Sequence, residues 1–280
     1  MYGMYIPNNV VCTYDSILQH GMYRRLTLSA SFRCLSCHGK HGTVSDMVEV
    51  KNIQVFALDR ALNAKANSFN VGDIDTTVPF AKTEDNRQWK VAKMLGSNTL
   101  PHQSHDAFLK GILVEFDIKY EQAFTPELQR YHFLEIIMSQ STMHSLKKFM
   151  EKGLDPYSKY VTEESKEQVR RLYNEYDALS KELTEAQNAA GADAPGAEVI
   201  AQKQRAAYEA FMRLRHNIPG GFEMWETVST NYLQLKTICI QRANHRQRED
   251  WNAFIRACLS MPHFSELTGL TEESLGLTDL

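Results

Sequence analysis

Residues Thr162–Leu183 place the tightest constraint on what this chain can become. Val169, Leu172, Tyr173, Tyr176 and Leu179 recur there at three- and four-residue steps, and the opposite positions are charged. On a helix with 3.6 residues per turn those side chains form one apolar stripe, which has to be buried against another element. Ile112–Lys119 (ILVEFDIK) has a different period. Apolar and polar residues alternate from Leu113 onward except at one step, as in a strand with one buried face. A chain holding both patterns is expected to be α+β, with a mixed sheet core against long packed helices.

The other segments fit around these two. Val48, Val50, Ile53 and Val55 suggest a strand, although Lys51 and Asn52 disturb its alternation. Helix formers fill residues 58–69, and Trp89, Val91, Met94 and Leu95 suggest a short helix ending near Gly96. Thr125-Pro126 reads as a helix start, since threonine can cap free N–H groups and proline suits the first turn. That helix is expected to carry Leu128, Tyr131, Phe133, Leu134, Ile137 and Met138. Another is expected from about Glu198 to Arg215, ended by Pro219-Gly220-Gly221, and a last long one from about Thr230 to Cys258. The small residues of Asn188–Ala197 read as an exposed linker.

Residues 1–46 lack a sustained period and read as an N-terminal extension, with one domain over residues 47–280. The extension holds three of the five cysteines, including Cys34-Leu35-Ser36-Cys37-His38. That spacing matches haem attachment or part of a zinc site, but no second cysteine pair lies nearby to close a zinc site. The expectation is therefore inert thiols and no metal. Five cysteines in 280 residues suit a reducing cytoplasm. No apolar run approaches the ~18 residues of a membrane span, and no basic start leads into an apolar core as in an export signal. The net charge of −3 argues against a protein that coats nucleic acid, yet leaves room for a local arginine site for one small anion.

The polar residues that interrupt the apolar pattern are the candidates for function. Asn231, Leu235, Ile238 and Arg242 fall on one helical stripe, so a guanidinium ends an otherwise apolar face. Buried there, it requires an anion, either a ligand or an internal carboxylate. Arg215 stands just before His216-Asn217-Ile218-Pro219, where a cation also favours a helix C-terminus. Together the two arginines offer planar, permanently charged forks for a phosphate or a pyrimidine carbonyl. Ser139-Gln140-Ser141-Thr142-Met143-His144-Ser145 supplies hydroxyl and amide groups, for a ligand or for its own backbone. There is no nucleophile elbow, Gly-rich phosphate loop, dinucleotide fingerprint or His-Glu-x-x-His.

From about Met47 to Pro262 the order and spacing of several elements resembles the flavin-dependent thymidylate synthase family, particularly divergent phage-type members. Asn63–Phe69 is similar to the family's Ala-Arg-x-Ser-Phe helix ending. His102-Gln103-Ser104 is similar to its His-x-Ser/Thr element before a central strand, and Arg215, Pro219, Asn231 and Arg242 follow its C-terminal order. The family's Arg-His-Arg signature is altered here to Arg130-Tyr131-His132, ahead of Ser139 and Ser141. The resemblance implies FAD as cofactor, with NADPH and methylenetetrahydrofolate as co-substrates. It implies one-carbon transfer to C5 of dUMP, a deoxypyrimidine monophosphate, in a homotetramer with shared active sites. It implies flavin contacts from His102, Ser104 and Asn231, substrate contacts from Arg215, Gln129, Arg130, Ser139 and Ser141, and a catalytic Arg242 that polarises the pyrimidine. The altered signature also leaves open a methylase or hydroxymethylase of dUMP or dCMP for modified phage DNA, or an inactive nucleotide-binding homologue.

Overall fold

The computed structural model describes residues 48–97, 104–189 and 196–278, with the Ser104 side chain excepted. The Cys34–His38 run, His102 and most of the Asn188–Ala197 linker lie outside them. Four antiparallel strands form one sheet: β1 (Glu49–Phe56), β2 (Leu113–Glu121), β3 (Glu135–Ser139) and β4 (Glu223–Asn231), in the order β1-β2-β4-β3. The disturbed alternation in β1 is a bulge between Lys51 and Gln54, where Asn52 takes a left-handed φ of 53°. Such a kink re-aims the strand without breaking its pairing with β2.

The alternation of β2 works as its sequence suggests. Val114, Phe116, Ile118 and Tyr120 are buried on one face, opposite Thr230, Val228, Glu226 and Met224 of β4. That face packs on α1 (Leu58–Ala64), α2 (Arg87–Gly96), α7 (Tyr232–Arg242), α8 (Arg248–Leu259) and α9 (Phe264–Thr268), with α10 (Glu272–Leu275) closing the end. Trp89, Leu235, Ile238, Trp251, Phe254 and Phe264 fill the core. Each such side chain contributes about 1.5–3 kcal/mol on burial. Cys239 and Cys258 are buried, unbridged packing within it. α3 (Thr125–Leu128) follows β2, while α4 (Thr142–Lys152), α5 (Glu163–Asn188) and α6 (Ala197–His216) build a second cluster around Leu146, Val169, Tyr173, Leu214 and Phe222. α5 starts where expected, with Thr162 accepting the Ser165 N–H at its N-cap.

Two expected helices are corrected. The helix begun at Thr125-Pro126 stops at Leu128, and residues 135–139 form β3 instead. Leu134, Ile137 and Met138 suit either period, and Ile136 finds its partner in Val228 of β4. Over the span of the expected long helix from Thr230 to Cys258 the chain instead finishes β4 at Asn231 and then forms α7 and α8, with a break at residues 243–247. Thr227-Val228-Ser229-Thr230 is rich in β-branched residues and adds a fully paired strand beside β2.

Gly96 lies where α2 passes close to α9. A methyl group there would meet the carbonyl oxygen of Leu267 in α9 head-on. Gly96→Ala is therefore expected to force α2 and α9 apart and lower stability by about 3 kcal/mol, read as a lower urea midpoint.

Candidate functional site

α4 begins at Ser141, whose side chain makes no capping bond, so the first N–H groups of the helix and the serine hydroxyl stay available. Four orphan N–H groups and the positive end of the helix dipole favour an anion. His144 and Lys147 lie three residues apart on α4, and Arg215 reaches the same cleft from the last turn of α6. Among the described residues no carboxylate lies within salt-bridge distance of Arg215, and Lys147 meets Glu151 only at 3.8 Å. Tyr173, Tyr176 and Phe211 form an apolar wall, with the last two rings tilted at 5.7 Å. Gln122 and Thr142 hold the floor, Gln122 Nε2 donating to Thr142 Oγ1 at 3.1 Å. The cleft encloses about 700 Å³, within the usual range for a small-molecule site.

This cleft unites two of the residues singled out from sequence, Arg215 and Ser141. Ser139 instead ends β3, beside Gln140 and Trp225 on a separate shallow depression. Gln129 and Arg130 are exposed in the turn after α3, and Arg130 lies 3.5 Å from Glu127. Asn231 is the last residue of β4 and caps α7, its Oδ1 accepting the Gln234 N–H at 2.9 Å. His102 and the Ser104 side chain lie outside the described residues.

Arg242 stands apart from the cleft, in a pocket of its own chain. Its Nη1 lies 2.6 Å from Glu127 Oε2, its Nε donates to the Tyr131 hydroxyl at 2.6 Å, and its Nη2 donates to the Glu127 carbonyl at 3.4 Å. The guanidinium also stacks between Tyr131 and Trp251, at 5.3 and 4.8 Å from the ring centroids. The anion its burial demanded is thus present as a carboxylate from α3. His245 sits beside this pair, and burial followed by the charge of Arg242 holds its imidazole below the usual range.

Lys147 and Phe211 were not singled out by sequence reasoning, His144 entered only as a member of the polar run, and Tyr176 only as part of the apolar stripe. The i, i+3 spacing of His144 and Lys147 was a usable signal once α4 was placed with Ser141 at its cap. Tyr176 looked like ordinary core, because its stripe partners are core.

No family model and no curated protein matches the sequence. The structure is similar to crystal structures of flavin-dependent thymidylate synthase. One is thymidylate synthase X from Helicobacter pylori with FAD and dUMP, at a TM-score of 0.40 and 16% identity, over 79% of this chain and 96% of that one. Another from the same organism, also complexed with FAD and dUMP, has a TM-score of 0.41 and 15% identity, over 79% and 97%. Among the described residues no helix is long and apolar enough to cross a membrane, and no group of three or more His, Cys, Asp or Glu could hold a metal ion.

Proposed function

We propose that this chain is a flavin-dependent thymidylate synthase-like enzyme, transferring a one-carbon unit from methylenetetrahydrofolate to C5 of dUMP with NADPH as reductant. The observation that carries the reading is the cleft that brings Arg215 against the free N-terminus of α4. The Arg215 guanidinium, without a carboxylate partner among the described residues, together with Lys147, His144 and the serine hydroxyl, fits a phosphate. The Tyr176 and Phe211 rings, tilted against each other, offer aromatic faces for contact with a ring. Both dUMP and FAD are rings that carry phosphate, so the donor set fits the chemistry of either. FAD, when bound, supplies the redox chemistry of the transfer.

The protein's own part is binding and electrostatics. Arg215 and the α4 terminus fix the phosphate end, which orients the ring without a nucleophile. Cys239 and Cys258 are buried and unsuited to attack, and this route needs no cysteine. Arg242 lies outside this cleft and faces Glu127 and Tyr131 with all three nitrogens, so positive charge from it beside the pyrimidine edge would come to a ring held by a neighbouring subunit. Preorganised donors of this kind contribute about 3–4 kcal/mol to a transition state. Assembly into a homotetramer would let a neighbouring subunit complete the site around Arg242.

The pairing of Arg242 with Glu127 favours a second reading, in which the chain binds nucleotide but no longer turns it over. Incubating the purified protein with FAD, NADPH, methylenetetrahydrofolate and either dUMP or dCMP, then weighing the nucleotide, separates these cases. A methyl gain on dUMP is the expected result. A hydroxymethyl gain, or any gain on dCMP, would move the chain to nucleotide modification. Tight dUMP binding with no gain in mass would establish the binding-only reading.

A further inference from the structure

Asp250, in the first turn of α8, has no role in the cleft or around Arg242. It is 1% exposed, and among the described residues neither of its carboxylate oxygens has a hydrogen-bond partner. Glu226 shows how unusual this is, because that carboxylate, also buried, accepts a bond from the Tyr120 hydroxyl. The charged groups facing Asp250 are mostly of its own sign. Glu121 comes from the end of β2, Glu223 from the start of β4 and Glu249 from α8 itself. The facing cation is Lys159, from the segment before α5, and it is committed to Glu249 at 2.6 Å. Lys119 in turn is taken up by Glu223 at 3.2 Å and Glu49 at 3.9 Å. Glu121 is 9% exposed and has Ser158 as its hydrogen-bond donor.

An ionised carboxylate without a hydrogen bond, desolvated and set against three others, is strongly disfavoured. A neutral carboxylic acid tolerates the same position. We propose that Asp250 and Glu121 form a proton-operated latch: the protonated Asp250 carboxyl lets α8, whose Trp251 ring lies 4.4 Å from that of Phe124 just past the end of β2, stay seated there, and its ionisation loosens that contact. The latch lies one residue from Gln122, on the floor of the Arg215 cleft, but does not depend on what that cleft binds.

Burial first, and then the Glu121 carboxylate, push the Asp250 carboxyl up to about 7 from its ordinary 3.8. Between those values the folded chain holds a proton that the unfolded chain has released. Stability therefore falls as pH rises toward about 7 and levels off above it.

Urea unfolding of the full chain between about pH 5 and pH 8 tests the latch. The wild-type midpoint is expected to fall across this range and then flatten. Asp250→Asn should lose the fall and exceed wild type at pH 8. Glu121→Gln removes one facing negative charge and should move the end of the fall to lower pH. It also decides the matter if Asp250→Asn does not fold, together with the protonated-carboxyl infrared band of wild type, which should titrate near pH 7 and shift downward in Glu121→Gln. An Asp250→Asn profile parallel to wild type, or a Glu121→Gln profile and infrared band that do not move, would overturn the latch.

Discussion

Glu127→Ala is expected to destabilise the folded chain by about 3 kcal/mol, seen as a clear drop in urea midpoint without a change in slope. The loss does not measure the attraction between Glu127 and Arg242. It comes from leaving the Arg242 guanidinium, 9% exposed, with the Tyr131 hydroxyl and two aromatic faces but no counter-charge. Stacking on Tyr131 and Trp251 retains part of the stability, about 1–2 kcal/mol for a desolvated cation. The double variant Glu127→Ala with Arg242→Met should accordingly be more stable than Glu127→Ala alone, because the stranded charge is gone and an unbranched apolar chain fills the slot. A double variant less stable than the single would show that the pair is held by packing rather than by charge balance.

Arg215→Ala is expected to weaken binding of dUMP about 10- to 100-fold while leaving folding stability within ~0.5 kcal/mol of wild type. A hydrogen bond to a charged group contributes about 1.5–3 kcal/mol, and each 1.4 kcal/mol is tenfold in affinity. The side chain is exposed and has no carboxylate partner among the described residues, so the fold loses little with it. Lys147→Ala should act in the same direction and less strongly, because its ammonium is partly balanced by Glu151 at 3.8 Å. Both losses should shrink at high salt, as expected for charges on an open cleft. Isothermal titration at two ionic strengths reads all of this. Unaltered affinity in Arg215→Ala would remove the cleft as the nucleotide site.

How far the chain could be read depended on the distance over which its signals act. α2, α5 and α6 fall close to where periodicity put them, because a helix satisfies its backbone within four residues. β3 was read as helix, and the end of β4 was drawn into the following helix, for the complementary reason. Ile136 becomes part of a strand only by pairing with Val228, some ninety residues along the chain, and nothing within either segment announces the other. The same holds at the candidate sites. Arg215 and the polar run at Ser141 were visible as anomalies, but not that α4 and α6 bring them to one cleft.

From sequence alone came the α+β class, the amphipathic helices, the central strand and the demand that a buried Arg242 meet an anion. These follow from backbone geometry and from the cost of desolvating a charge, which act wherever the residue lies. The tertiary structure decided which anion answers Arg242, that Asn231 caps a helix rather than lying along one, and that Asp250 is buried among carboxylates. Those outcomes depend on contacts between residues far apart in the chain, and no local period encodes them.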